Sequence, residues 1–171
     1  MTEAVTRSPA AAPGTIGWDV RPARTDDAPA VAAAVAALVD ELGGTPPARD
    51  AIEAEARAHI EDPSLGIVLV AAPGVGGREL VGVLTASWAR AIQVAGRLLT
   101  IEVLWTRSEW RDRGVGAGLV EALAVAAAAE GAGRVEVGLP RESFPALRAT
   151  ERFYLANGFE RLGPRMRRAV P

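Results

Sequence analysis

Three glycines, Gly114, Gly116 and Gly118, follow a long apolar run and open a stretch of helical period. The first amides of a helix have no partner within it, and the positive end of its dipole lies there, so an anion such as a pyrophosphate is favoured. Arg111 and Arg113 set cationic donors beside that turn. Just upstream, Glu102 stands inside the otherwise apolar run LLTIEVLWTR, Leu98–Arg107. Burial in such a run raises a carboxyl pKa and suits the group to act as a base. An arginine partner, or a place at an exposed strand edge, would make the same carboxylate structural. The glycine turn has other readings too. Small residues serve a tight strand-to-helix turn by packing alone. A dinucleotide fingerprint, G-x-G-x-x-G after the first strand of a βαβ unit, fits poorly, because the spacing here is R-x-x-G-x-G after the fourth predicted strand.

The elements that carry these residues follow from period and punctuation. A strand is predicted at Trp18–Arg24, after which Asp26 caps a helix from about Asp27 to Leu42, with Val31, Val35, Leu38, Val39 and Leu42 on one face. Gly43-Gly44 ends that helix, and a second one spans about Ala48 to Ile60 and stops before Pro63. Gly66–Ala72 and Glu79–Trp88 form a hairpin around the turn Pro73–Arg78, and Leu98–Arg107 is a strand for the middle of a sheet. Gly116–Glu130 is a helix stopped by Gly131, Arg134–Leu139 a strand, and Pro145–Asn157 a helix ending at Gly158. Phe159–Leu162 and Arg165–Val170 are two closing strands. The class is α/β (α+β), a mixed sheet with helices on its faces in one domain over residues 18–171, preceded by a disordered tail, Met1–Gly17.

Composition removes several chemistries. The 171 residues have 19 Lys+Arg, every one arginine, against 21 Asp+Glu, for a net charge of -2. Without cysteine there are no disulfides, thiolate metal sites, Fe–S clusters or acyl-cysteine intermediates. A single histidine, His59, excludes two-histidine metal sites, and no metal is expected. The absence of lysine removes a Walker A lysine and any Schiff base. Near-neutral charge argues against nucleic-acid binding, and no apolar run reaches membrane-span length. A soluble, cytoplasmic protein is expected.

RDRGVG, Arg111 to Gly116, resembles the acyl-CoA pyrophosphate loop of the GNAT superfamily of N-acetyltransferases, whose pattern is Q/R-x-x-G-x-G/A. IEVLWTRSEW before it resembles that family's central strand and the link into the loop, and RFYLANGF, Arg152 to Phe159, resembles its second signature. One helix and one strand separate the two, as the family requires. The resemblance implies a GNAT fold with about six to seven strands and a V-shaped split between the fourth and fifth, Leu98–Arg107 and Arg134–Leu139. It implies an acetyl group moving from acetyl-CoA to the primary amine of a small molecule, by direct attack in a ternary complex. Leu104 and Thr106 would offer backbone to the pantetheine arm. The amides of Asp112, Arg113, Gly114, Val115, Gly116 and Ala117, with Arg111 beside them, would hold the pyrophosphate.

An ammonium must lose a proton before it attacks a thioester, and Glu102 falls where many family members carry that base. Tyr154, the only tyrosine, falls where the family has the acid that protonates the leaving thiolate; packing beside Phe153 and Phe159 is its other use. Two positions depart from the pattern: Thr106-Arg107-Ser108 replaces a common Val-x-Pro, and Leu147 stands where an asparagine is frequent. His59, on an exposed-looking helix, reads as a surface residue. Asp40, Glu41 and the loop Gly43–Arg49 read as a helix end and turn, in a region where the family shapes its acceptor pocket, and Glu142 is a weaker acceptor-facing candidate. Trp88, Trp105 and Trp110 read as core, and Arg161, Arg165, Arg167 and Arg168 as a solvated basic cluster. A homodimer is common in the family. Alternatives are a module that binds acyl-CoA without turnover and a protein or peptide amine as acceptor.

Overall fold

The structure, a computed structural model, describes residues 17–74, 77 and 79–163. The expected tail over Met1–Gly17, apart from its last residue, and the expected strand Arg165–Val170, with Arg165, Arg167 and Arg168 of the basic cluster, lie outside the described residues. The chain divides into two compact units, Met1–Val137 and Gly138–Pro171.

In the first unit the elements are β1 (Trp18–Pro22), α1 (Ala28–Glu41), α2 (Arg49–Glu61), β2 (Gly66–Pro73), β3 (Gly82–Ala91), β4 (Gly96–Thr106), α3 (Val115–Ala129) and β5 (Val135–Val137). The sheet runs β1-β2-β3-β4-β5. The first three pairings are antiparallel and the last is parallel. β2, GIVLVAAP, is buried along most of its length, as a strand with both faces covered must be. On one face Val31 and Ala34 of α1 pack against Val68, Val70, Ala72 and Val83. On the other, α3 buries Val115, Leu119 and Leu123. It can approach because β3 has a glycine beneath it: a Cβ at Gly82 would come within 2.6 Å of Val115 and 2.9 Å of Leu119.

The start of α1 differs from expectation by one residue. A short 3-10 turn, Thr25–Asp27, precedes it. Asp27, rather than exposed Asp26, is therefore the buried acid. It accepts the Arg24 amide at 2.7 Å and pairs with Arg21 at 2.6 Å. Burial pulls its pKa upward, but the Arg21 guanidinium and the Arg24 amide outweigh that and leave it below the usual carboxylate range.

Two features of the sheet bear on function. β3 pairs Thr85 with Val103 but Ala86 with Ile101, so Glu102 is an extra residue on β4, a β-bulge. β5, shorter than the expected Arg134–Leu139, pairs only Leu99 with Val135, Thr100 with Glu136 and Ile101 with Val137. Among the described residues of this unit β4 therefore has β3 alone as its ladder partner from Glu102 onward.

The second unit contains α4, Leu147–Ala156. Tyr154 meets the rings of Phe153 and Phe159 edge-on, each with centroids 5.2 Å away. The expected strand Phe159–Leu162 does not form. Phe159 is taken up by Tyr154, and Arg161 pairs with Glu151 of α4 at 2.7 Å, so the segment folds back on its own helix. Among the described residues the sheet has five strands, fewer than the six to seven expected, with the same α/β architecture.

Candidate active site

The loop between β4 and α3 is built by backbone conformation. Asp112 (φ 60) and Gly114 (φ 78) both lie in the left-handed region, which Gly adopts freely and Asp more readily than most residues. No side chain caps α3. Its first internal bond is Gly118 N–H to the Gly114 carbonyl, 2.9 Å. The amides of Val115, Gly116 and Ala117 therefore head the helix without a partner inside it, at the positive end of its dipole. This donor set suits a pyrophosphate.

Trp18 of β1 supports that loop from below. Its indole N–H donates to the Arg113 carbonyl at 3.1 Å. Its ring lies against Gly118, where a Cβ would come within 2.3 Å of a ring carbon. Gly118 thus serves close packing, and openness of the amides belongs to Gly114 and its successors. Sequence reasoning missed Trp18, which stands 95 residues from its hydrogen-bond partner. The two loop cations differ in their commitments. Arg113 lies over the Trp110 ring at 5.3 Å. Arg111 donates to the Thr106 carbonyl at 3.2 Å and to Glu41, at the end of α1, at 2.7 Å.

Leu104 and Thr106 are half-buried at the C-terminal end of β4. Glu102 is exposed, so the burial expected for it is absent; the bulge turns it out of the strand's apolar rows instead. Beside the end of β4, a cleft of about 670 Å³ has Ala30, Ala34, Leu80 and Trp105 as its apolar floor. Two ion pairs stand on its rim, Glu41–Arg111 at 2.7 Å and Glu79–Arg107 at 2.9 Å. Glu41 therefore belongs to a cleft wall, more than the helix end and turn expected for it.

Tyr154 lies in the second unit, buried, and burial pushes its phenol up to about 12. Leu147 begins α4, and Glu142 is exposed. His59 is not the surface residue expected: its side chain is 17% exposed. Trp88, Trp105 and Trp110 are all half-buried, Trp88 beneath the Arg97 guanidinium at 3.8 Å.

Among the described residues no group of three or more His, Cys, Asp or Glu is arranged to hold a metal, and no helix is long and apolar enough to cross a membrane. The family model "acetyltransferase (GNAT) domain" matches residues 64–161. No curated protein matches the chain by sequence. Similar solved structures include a possible acetyltransferase from Clostridium difficile 630, 18% identical, with TM-score 0.74 over 90% of this chain and 98% of that one. The aminoglycoside 6'-N-acetyltransferase AAC(6')-Ih from Acinetobacter baumannii is 16% identical, with TM-score 0.72 over 91% and 99%. The ribosomal-protein-alanine N-acetyltransferase from Brucella melitensis biovar Abortus 2308 is 17% identical, with TM-score 0.68 over 91% and 100%.

Proposed function

The chain belongs to the GNAT family of acyl-CoA-dependent N-acetyltransferases, and from that premise we propose that it acetylates the primary amine of a small molecule with acetyl-CoA as donor. The observation that carries this reading is the start of α3, where three uncapped amides follow a strand end that β5 no longer pairs. The pyrophosphate sits on the loop Arg111 to Ala117, and the pantetheine arm runs along Leu104 and Thr106 as an added strand would. A cleft of about 670 Å³ is the size of a small-molecule pocket, which favours a metabolite or drug-sized amine over a protein terminus.

The reaction is direct. Glu102, reached through water, takes a proton from the acceptor ammonium. The free amine attacks the thioester carbonyl, its nitrogen gives a second proton to water as the carbon–sulfur bond breaks, and the departing thiolate, hydrogen-bonded by Tyr154, takes a proton from water. Glu102 is accessible on its bulge, which suits a base that must exchange protons with water.

The test is the thermal shift with acetyl-CoA, CoA and NADH, followed by thiol release with a panel of amines. A ligand at a hundredfold excess over its Kd adds about 2.7 kcal/mol of stability. Stabilisation by both CoA species and not NADH is expected. With the best amine, Glu102→Gln and Tyr154→Phe should each lower kcat about a hundredfold. Full turnover by both variants would end their assigned roles. Tight CoA binding without turnover on any amine would favour a non-catalytic acyl-CoA module.

A further inference from the structure

His59 is the chain's only histidine, and it is held in a definite arrangement. Its Nδ1 lies 3.1 Å from the Glu55 carbonyl and 3.3 Å from Glu55 Oε1, one helical turn back on α2. Its Nε2 lies 3.4 Å from the Ser87 hydroxyl on β3. Nδ1 has only acceptors before it, so it carries the proton, and Nε2 presents its lone pair to the Ser87 O–H. The 3.4 Å separation is long, but hydrogen bonds of this kind commonly tighten only with substrate in place.

The sheet makes room for the ring. Gly66 of β2 pairs with Ser87, and a Cβ at Gly66 would come within 3.2 Å of His59 Cδ2 and 2.1 Å of the Ala86 carbonyl. α2 buries none of its residues fully, yet this imidazole is 17% exposed while Glu55 is 73% exposed. The three groups thus run from the sheet to solvent. Ser87 shares a strand face with Thr85 and with Val83, which packs under α1. It pairs across to Thr100, and the bulged Glu102 lies opposite the next step, Thr85–Ala86.

We propose that Ser87, His59 and Glu55 form an exit path for the proton of the acceptor ammonium. The inference rests on the acetyl-transfer reading above. A proton taken from the amine nitrogen by Glu102 reaches the Ser87 oxygen through water as the Ser87 hydroxyl proton passes to His59 Nε2. The positive charge moves from the amine to the imidazolium, beside the Glu55 carboxylate, and the imidazolium then discharges a proton to water. Besides Glu55, the groups around His59 are Asp62 beyond the end of α2, whose carboxyl is held low by hydrogen bonds from Ser64 and least by His59, neutral Ser87 from β3, and Gly66 from β2. α1 has no charged residue before Asp40. Asp27 of the preceding turn is committed to Arg21.

One arm of the test needs no acceptor. Long-range proton–nitrogen spectra of the single imidazole should report a protonated Nδ1, and the Nε2 signal should move in Ser87→Ala. A protonated Nε2, or no change in Ser87→Ala, would overturn the path. The second arm uses acetyl-CoA and the best primary amine from the panel. His59→Gln and Ser87→Ala should lower kcat/KM about tenfold to a hundredfold with the KM for acetyl-CoA unchanged. The acid limb of the kcat/KM profile should change shape in His59→Gln, and imidazole in the buffer should restore part of the activity of His59→Ala. An unchanged profile in a wild type that turns over overturns the path alone. Failure of wild-type turnover with every amine overturns the acetyl-transfer reading and the path together. Covalent capture of Ser87 by a fluorophosphonate would mark a nucleophile and overturn the path as well.

Discussion

In an unfolded chain a tyrosine loses its proton near pH ~10, whereas Tyr154 holds its own up to about 12 because burial penalises the phenolate. The folded protein therefore keeps a proton that the unfolded chain has lost, and stability should fall as pH rises from about 10 to about 12, by up to about 1.4 kcal/mol per unit. Urea unfolding at pH 9 and pH 11 checks this, and Tyr154→Phe should lack that part of the slope. The same shift bears on mechanism. A free thiol titrates near ~8.5, so complete transfer from a phenol at about 12 is uphill by roughly 4–5 kcal/mol. Tyr154 is better suited to hydrogen-bond the departing sulfur than to surrender its proton. At this scale the sequence places Glu102 and Tyr154 on their elements, since a strand and an amphipathic helix have readable periods. It misjudges the burial of Glu102, because one extra residue in a strand has no local signature and is created by the register with β3.

At the scale of elements, the start of α3 depends on a close contact with β1. Gly118→Ala would drive a methyl group into the Trp18 ring, at 2.3 Å. Overpacking of this kind costs about 1–3 kcal/mol, more than the roughly 1 kcal/mol that alanine returns as a helix former. The displaced indole would also release the Arg113 carbonyl, so acetyl-CoA affinity should drop about tenfold. Gly138→Ala, with nothing within 4 Å of the added Cβ, is the control and should change stability by less than about 0.5 kcal/mol. Denaturant midpoints and titration calorimetry read both quantities. Among the described residues of the first unit, the five strands and three α-helices lie within a few residues of expectation, because apolar period and Gly or Pro punctuation mark them. The β3–β4 hairpin extends three pairs farther than expected, through Ala89, Arg90 and Ala91. These residues are poor strand formers that ladder pairing carries along. The segment after α4 reads as a strand from its composition, but side-chain ties to α4 claim it first.

At the scale of the molecule, the family and the anion loop were legible in two separated signatures, while the ties between distant segments were not. The Glu41–Arg111 pair joins residues 70 apart, and neither residue's neighbours in sequence foretell it. Both side chains are more than a third exposed, so the pair adds at most about 1 kcal/mol of stability. Glu41→Gln should therefore leave the denaturation midpoint nearly unchanged, while loosening the cleft rim enough to raise the amine KM about threefold. Steady-state kinetics in both substrates checks this, and an equal rise in the KM for acetyl-CoA would assign the pair to the donor side. The loop's supports have one more consequence. Trp18 lies beneath the helix start and Trp110 faces Arg113, so two of the chain's four indoles touch the proposed pyrophosphate loop. Any ligand that draws Arg113 away from Trp110 should alter the protein's ultraviolet emission, which makes the loop its own optical reporter.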